Sequence, residues 1–198
     1  MKVKKLHQKD GFYSPGELGK LGIKQFGENV KISRKASLYM PECMSFGHDV
    51  RIDDFCLLVG NIFVGSYVHI CAYTSLHASS GSITLGDFSN ISSRTAVYAA
   101  SDDYSGKSLT NSVIPDQYKR ILYSDIKIGR HSIIGTGSTL LPGAELPEGV
   151  ALGAMSLVKG LLQPWKIYAG VPCRLIGERQ KDLLDIEQKF LKAIEGED

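Results

Sequence analysis

A triangular parallel β-helix is the fold this sequence predicts, on three observations. Aliphatic or aromatic anchors recur every six residues: Phe26, Ile32 and Leu38; Phe46, Ile52 and Leu58; Val64, Ile70 and Leu76; Leu85, Ile91 and Val97; then Ile128, Ile134, Leu140, Leu146, Leu152 and Val158. Glycine often follows an anchor directly, at Gly27, Gly47, Gly65, Gly86, Gly129, Gly135 and Gly153. Four residues past an anchor the side chain is small or β-branched, as at Val30, Val50, Cys56, Thr74, Ser89, Ser138 and Ser156. A six-residue period held over most of a domain marks a β-helix in which three hexapeptides make one turn. No turn buries its apolar face alone, so stacked turns share one core.

Taken in chain order, residues 1–22 form an N-terminal segment. Met1 to Asp10 is polar and basic with no apolar run behind it, which argues against a signal peptide. Ser14-Pro15-Gly16-Glu17 starts a short helix, with Ser as N-cap, Pro at the first helical position and Glu three residues after the cap; it ends near Gly22. The β-helix domain spans 23–172. Its anchors point inward, the small residue four places on fits a tight corner, and the glycine after the anchor lets the backbone bend or approach another chain. The frame is broken three times. Phe26 to Phe46 carries two extra residues and Val64 to Leu85 carries three. Val97 to Ile128 needs six residues and has 31, so about residues 103–127 leave the prism as a loop. A long loop within a repeat domain tends to be functional, and Tyr104, Tyr118, Ile121, Leu122 and Tyr123 make this one apolar. Residues 173–198 form a terminal segment in which Arg179 to Ile194 is an amphipathic helix that blunts the open end of the solenoid.

Composition excludes several classes. Net charge is +2 with no basic block, so neither nucleic acid nor an anionic membrane is expected as a partner. No apolar run reaches membrane-spanning length. Four cysteines without metal-type spacing suit free thiols in a cytoplasmic protein, with Cys56 a packed core thiol.

The repeat, the ejected loop and Tyr168-Ala169-Gly170-Val171-Pro172-Cys173-Arg174-Leu175-Ile176 together resemble the hexapeptide-repeat acyltransferases, in the galactoside and maltose acetyltransferase-like branch that includes acyltransferases of nucleotide-linked amino sugars. The resemblance implies a left-handed helix, an exception to the right-handed crossover rule, and an all-β fold with two short helical appendages. It also implies a homotrimer with sites between subunits, and acetyl-CoA or another short acyl-CoA as co-substrate. Carried over residue by residue, Gly135, Thr136, Gly153 and Ala154 line the pantetheine arm, and Lys159 and Arg174 meet the nucleotide phosphates. No metal is expected; a γ-type carbonic anhydrase on the same prism needs three converging imidazoles, and the histidines here are out of phase.

At the mouth of the loop, sugar O-acetyltransferases of this family carry a histidine base. Here Asp102 stands at that position. A carboxylate is a weak base for an alcohol unless burial raises its pKa, whereas an amine acceptor needs only orientation and a path for its proton. Asp102 therefore favours N-acylation of a sugar or nucleotide-sugar amine over O-acylation. The corresponding positions of successive turns form a column, Ser33, Asp53, Cys71, Ser92, Gly135 and Gly153, which puts Ser92 beside the CoA turns as a catalytic candidate. His77, expected to stack on Tyr98, is the alternative base that O-acylation would require. Asp53, Asp54, Asp103 and Tyr104 are candidate acceptor contacts, although aspartates in turns also serve local amides. His131 is expected to pack on the surface beside Tyr67 and Phe88, and His48 and His69 to have no partners. A non-catalytic binding solenoid is the alternative of a different class.

Overall fold

The computed structural model describes residues 11–196; the polar segment Met1 to Asp10 and the last two residues lie outside that range. The chain winds into a parallel β-solenoid of about seven turns, consistent with the left-handed form. Its strands pair in register as three columns. One face stacks Phe26, Phe46, Val64, Leu85, Ile128 and Leu146. The next stacks Ile32, Ile52, Ile70, Ile91, Ile134, Leu152 and Tyr168. The third stacks Leu38, Leu58, Leu76, Val97, Leu140 and Val158. All the anchors are buried except Phe26 and Leu38, at the N-terminal end, which are partly covered. The small residues four places on fill the corners; Val50, Thr74, Thr95, Ser132 and Ser138 are fully enclosed. Burial pushes the Cys56 thiol up to about 11, as befits a packed core thiol.

The glycines act differently from the expectation of a bend. Positive φ falls three residues past the anchor and is mostly borne by other residues: Asn29, Asp49, Phe55, Tyr67, Tyr73, Phe88, Arg94, His131 and Met155. The glycine directly after the anchor is required by close approach between coils. A Cβ on Gly86 would lie 2.6 Å from the Arg130 amide nitrogen, and one on Gly135 2.4 Å from that of Ala154.

The frame breaks are each localised. The two extra residues form a corner at Met40, with positive φ, and a 3-10 turn at Pro41–Cys43. The three extra residues lie in the strand Ser75–Leu85, which runs through a corner beside Leu57–Val64 with register slips around Gly60. The long excursion leaves through Ala100–Ser101, which pairs antiparallel with Leu122–Tyr123. By Ile126 the chain is again buried and in register with Ile83.

At the N-terminal end, helix α1 (Pro15–Leu18) is shorter than expected. The Glu17 carboxylate pairs with Arg34 and accepts the Ser14 hydroxyl and amide at 2.7 and 2.8 Å, and these bonds, Arg34 first, hold its pKa down at about 2. The preceding residues run antiparallel to the first coil, bridging Phe12 to Ser33. At the other end Arg174–Glu178 turns back antiparallel on Lys166–Ala169. Helix α2 (Leu183–Glu195) therefore starts later than the apolar spacing from Arg179 suggested. Arg179 instead donates to the carbonyls of His131 and Gly149 at 2.6 and 3.1 Å.

His131 is not a surface residue. It stacks with Phe88, which stacks with Tyr67, and α2 lies over the stack with the Phe190 ring edge-on to Tyr67. Beneath the helix the buried Glu187 pairs with Arg130 and, at 2.9 Å, with His131. Removing the Glu187 carboxylate leaves the buried His131 ring and the partly exposed Arg130 guanidinium without their acceptor. Glu187→Ala is expected to loosen α2 and cost about 2–3 kcal/mol; hydrogen exchange confined to Leu183–Glu195 and a denaturation curve check this.

Candidate active site

One outward stripe runs the length of the prism. It is made by the residues directly after the second-face anchors: Ser33, Asp53, Cys71, Ser92, Gly135 and Gly153. Each donates its amide to the anchor carbonyl of the next coil, at 2.9, 3.0, 2.9, 2.9, 2.7 and 2.8 Å respectively. Consecutive members are thus one strand spacing apart, about 4.8 Å.

The C-terminal part of the stripe is bare backbone. Gly135 and Gly153 are followed by the exposed Thr136 and Ala154; the Thr136 hydroxyl donates to the Ser93 carbonyl at 2.6 Å. Lys159 and Arg174 are exposed on the coils beyond, where Arg174 donates to the Cys173 carbonyl at 3.2 Å. Ser92 is half-buried at mid-stripe, and its carbonyl accepts the Thr95 hydroxyl at 2.8 Å.

The N-terminal part carries a polar network. His69 Nε2 lies 2.8 Å from Asp53 Oδ2, while Arg51 holds Asp53 Oδ1 at 2.7 Å and Cys71 Sγ lies 3.7 Å from His69 Nδ1. His69 therefore has partners that sequence reasoning missed. The signal was present: residues on either side of an anchor share the outward face of a strand, so Arg51-Ile52-Asp53 lies directly against His69-Ile70-Cys71. His48 is also engaged, with Nδ1 accepting the Glu28 amide at 3.1 Å. Among the described residues, Asp53, His69 and Cys71 are the group whose ligating atoms converge, within 4.8 Å of one another. Both Asp53 oxygens are already bonded, one to a guanidinium, and this describes a hydrogen-bonded network better than a cation cage.

Asp54 faces elsewhere. It accepts the Ser33 hydroxyl at 2.5 Å and the Lys35 ammonium at 2.9 Å, which lower its pKa in that order. Asp103 is tied to its own turn, accepting the Ser105 amide at 2.8 Å, and the Ser105 bonds lower its pKa. Tyr104 is 94% exposed. Asp102 is exposed at the loop mouth, near the Asn111 amide at 3.4 Å. It opens on a cleft of about 320 Å³ shared with Ser79, Lys119 and Tyr123. Ser92 does not line that cleft, so the protomer does not bring the two together there. His77 stacks on Tyr98 with ring centroids 4.9 Å apart, and burial lowers its pKa. A larger cavity, about 820 Å³, lies at the N-terminal end against Phe12, Tyr13 and Leu18, away from Ser92 and the glycine turns.

Comparison with known proteins assigns this architecture. No protein-family model matches the chain. It is 42% identical over 184 residues to an Escherichia coli dTDP-4-amino-4,6-dideoxy-D-glucose acyltransferase, covering 91% of this chain and 95% of that protein. The chain belongs to the hexapeptide-repeat acyltransferases. A second family member, AntD of Bacillus cereus, an N-acyltransferase, is 49% identical with a TM-score of 0.90. The match covers 92% of this chain and 98% of AntD. AntD has been crystallised with dTDP-4-amino-4,6-dideoxyglucose and coenzyme A, and with dTDP and 3-hydroxybutyryl-CoA. Its studied variants include replacements of one serine and of one aspartate ten positions further on. The putative lipopolysaccharide O-acetyl transferase WbbJ of Escherichia coli is 29% identical over 156 residues, 73% of this chain and 74% of that protein.

Proposed function

We propose that the chain transfers a short acyl group from acyl-CoA to the amino group of a dTDP-linked amino-deoxysugar, for surface polysaccharide or glycan synthesis in the cytoplasm. The observation that carries this reading is the pair Ser92 and Asp102, ten residues apart like the serine and aspartate replaced in AntD. One lies on the stripe and the other at the loop mouth. AntD lacking the aspartate still binds dTDP and coenzyme A, which suits a residue that acts on the amine and not on the nucleotide. The reading includes a homotrimer, in which the loop of one protomer carries Asp102 to the Ser92 stripe of its neighbour.

Pantetheine lies along the bare backbone at Gly135, Thr136, Gly153 and Ala154, where no side chain blocks the ladder. Lys159 and Arg174 receive the phosphates. The thioester then reaches Ser92, whose hydroxyl and the neighbouring amides steady the developing oxyanion. Asp102 orients the amine, holding it in attack geometry. The amine lone pair forms the C–N bond, the C–S bond breaks, and the departing thiolate takes the surplus proton. The exposure of Asp102 and the stacking of His77 both disfavour activation of a hydroxyl, so O-acetylation is the lesser reading.

Thiol release from acetyl-CoA and 3-hydroxybutyryl-CoA, with dTDP-4-amino-4,6-dideoxyglucose and its 4-hydroxy counterpart as acceptors, tests the proposal. Turnover of the amino sugar alone, with an amide product by mass, is the expected result. Turnover of the hydroxy sugar alone would replace it with O-acetylation, and no turnover of either would leave a binding solenoid.

A further inference from the structure

Beside the stripe, between Ser92 and the N-terminal end, lies an imidazole whose tautomer is dictated by its neighbours. The Asp53 carboxylate only accepts hydrogen bonds, so His69 Nε2, 2.8 Å away, carries the hydrogen. The lone pair then resides on Nδ1, where the partner is the Cys71 thiol at 3.7 Å, a weak donor. Cys71 stands one coil below Ser92 on the stripe. Asp53 is itself fixed, with Arg51 on its other oxygen at 2.7 Å. The groups facing His69 are thus Asp53 and Arg51 from the coil below and Cys71 from its own strand; across the next coil it pairs in register with the uncharged Asn90. Such a carboxylate-backed imidazole is the arrangement that positions a base and stabilises its protonated form.

The direction of approach places it in the reaction. If pantetheine occupies the glycine end, the acceptor must meet the thioester from the other side of Ser92, over Cys71 and His69. An amino sugar in water is largely an ammonium ion, and the ammonium cannot attack. We propose that His69 is a catalytic residue: its Nδ1 takes a proton from the acceptor's ammonium group, displacing the weak thiol contact, while Asp53 holds the ring and the resulting positive charge. This inference rests on the acyl-transfer reading above. The step balances simply. The ammonium and neutral imidazole become amine and imidazolium; the amine then attacks, the thiolate leaves with the amine's surplus proton, and the imidazolium returns its proton to water.

His69→Gln and Asp53→Asn test it, with rates measured from about pH 6.5 to 9, a range that spans the titration of an ordinary amine. For His69→Gln the expected result is a fall in kcat/KM for the amino sugar of about 10²-fold at the acid end, shrinking steadily as alkali supplies neutral amine. Asp53→Asn should show the same pH-dependent defect, smaller in size. For His69→Gln, coenzyme A and dTDP affinities and the melting temperature should stay at wild-type values, since the His69 side chain is 42% exposed. A merely structural loss would lower the rate equally at every pH and would overturn the proposal, as would wild-type rates in both variants. Stoichiometric zinc in the wild type, absent from His69→Gln, would also overturn it in favour of a metal site. A wild-type protein that acylates no amino sugar at any pH would remove the acyl-transfer reading itself, and this inference with it.

Discussion

Asp102→Asn is expected to lower kcat for the amino sugar by about 10²–10³-fold while leaving fold and cofactor affinity intact. Asparagine keeps the shape but turns half of an acceptor group into a donor, so an amine's hydrogens lose their partner and the lone pair is no longer aimed at the thioester. The structural cost is small, because the side chain is exposed and its contact with the Asn111 amide is long, at 3.4 Å. Steady-state kinetics with both substrates varied, alongside a coenzyme A binding isotherm and a melting curve, separates these effects. An unchanged kcat with a raised acceptor KM would make Asp102 a binding group only.

Gly135→Ala is expected to produce the largest loss of stability. The added methyl carbon would sit 2.4 Å from the Ala154 nitrogen, 2.6 Å from the Gly153 carbonyl carbon and 2.7 Å from the Ala154 Cα. All three are backbone atoms of the next coil, so no side-chain rotation relieves the clash and the ladder must open. A cost of about 3 kcal/mol or more follows, which lowers the melting temperature by roughly 6–12 °C for a chain of this size. Gly16→Ala is the control. Its Cβ meets nothing within 4 Å, in a helix where alanine is favoured, so its melting temperature should not fall. A Gly135→Ala protein as stable as that control would mean that the coils part freely at this position.

Much of the prism was legible because a six-residue period reports burial directly. Every anchor from Ile32 onward, Leu38 apart, is buried where the period placed it. The stripe was legible for the same reason, since a strict repeat converts sequence spacing into spatial columns. Three features were not. The left-handed corners fall on residues such as Phe55, Tyr67, Tyr73 and Phe88, whose identities give no hint of positive φ because their side chains stack along the outside. His131 is buried by α2, and the hydrogen bond to Glu187 that accompanies this spans 56 residues, beyond the reach of any local pattern. The Asp53–His69 contact joins two different columns, residues after and before an anchor, and column-by-column alignment keeps these apart.

The reversed segments at the two ends have a consequence for the molecule as an object in solution. A stack of parallel coils has no intrinsic length, and each exposed terminal coil presents a template on which another could be laid. Here the chain itself covers one face at each end with a segment running the opposite way, through the single bridge from Phe12 to Ser33 and through the strand Arg174–Glu178. An antiparallel strand spaces its donors and acceptors unlike a parallel one, so an incoming coil finds no matching edge on that face. The hydrogen-bond ladder that could propagate as a fibre is thereby interrupted at both ends of the face that runs from Ile32 to Tyr168, which works against end-to-end growth without help from net charge.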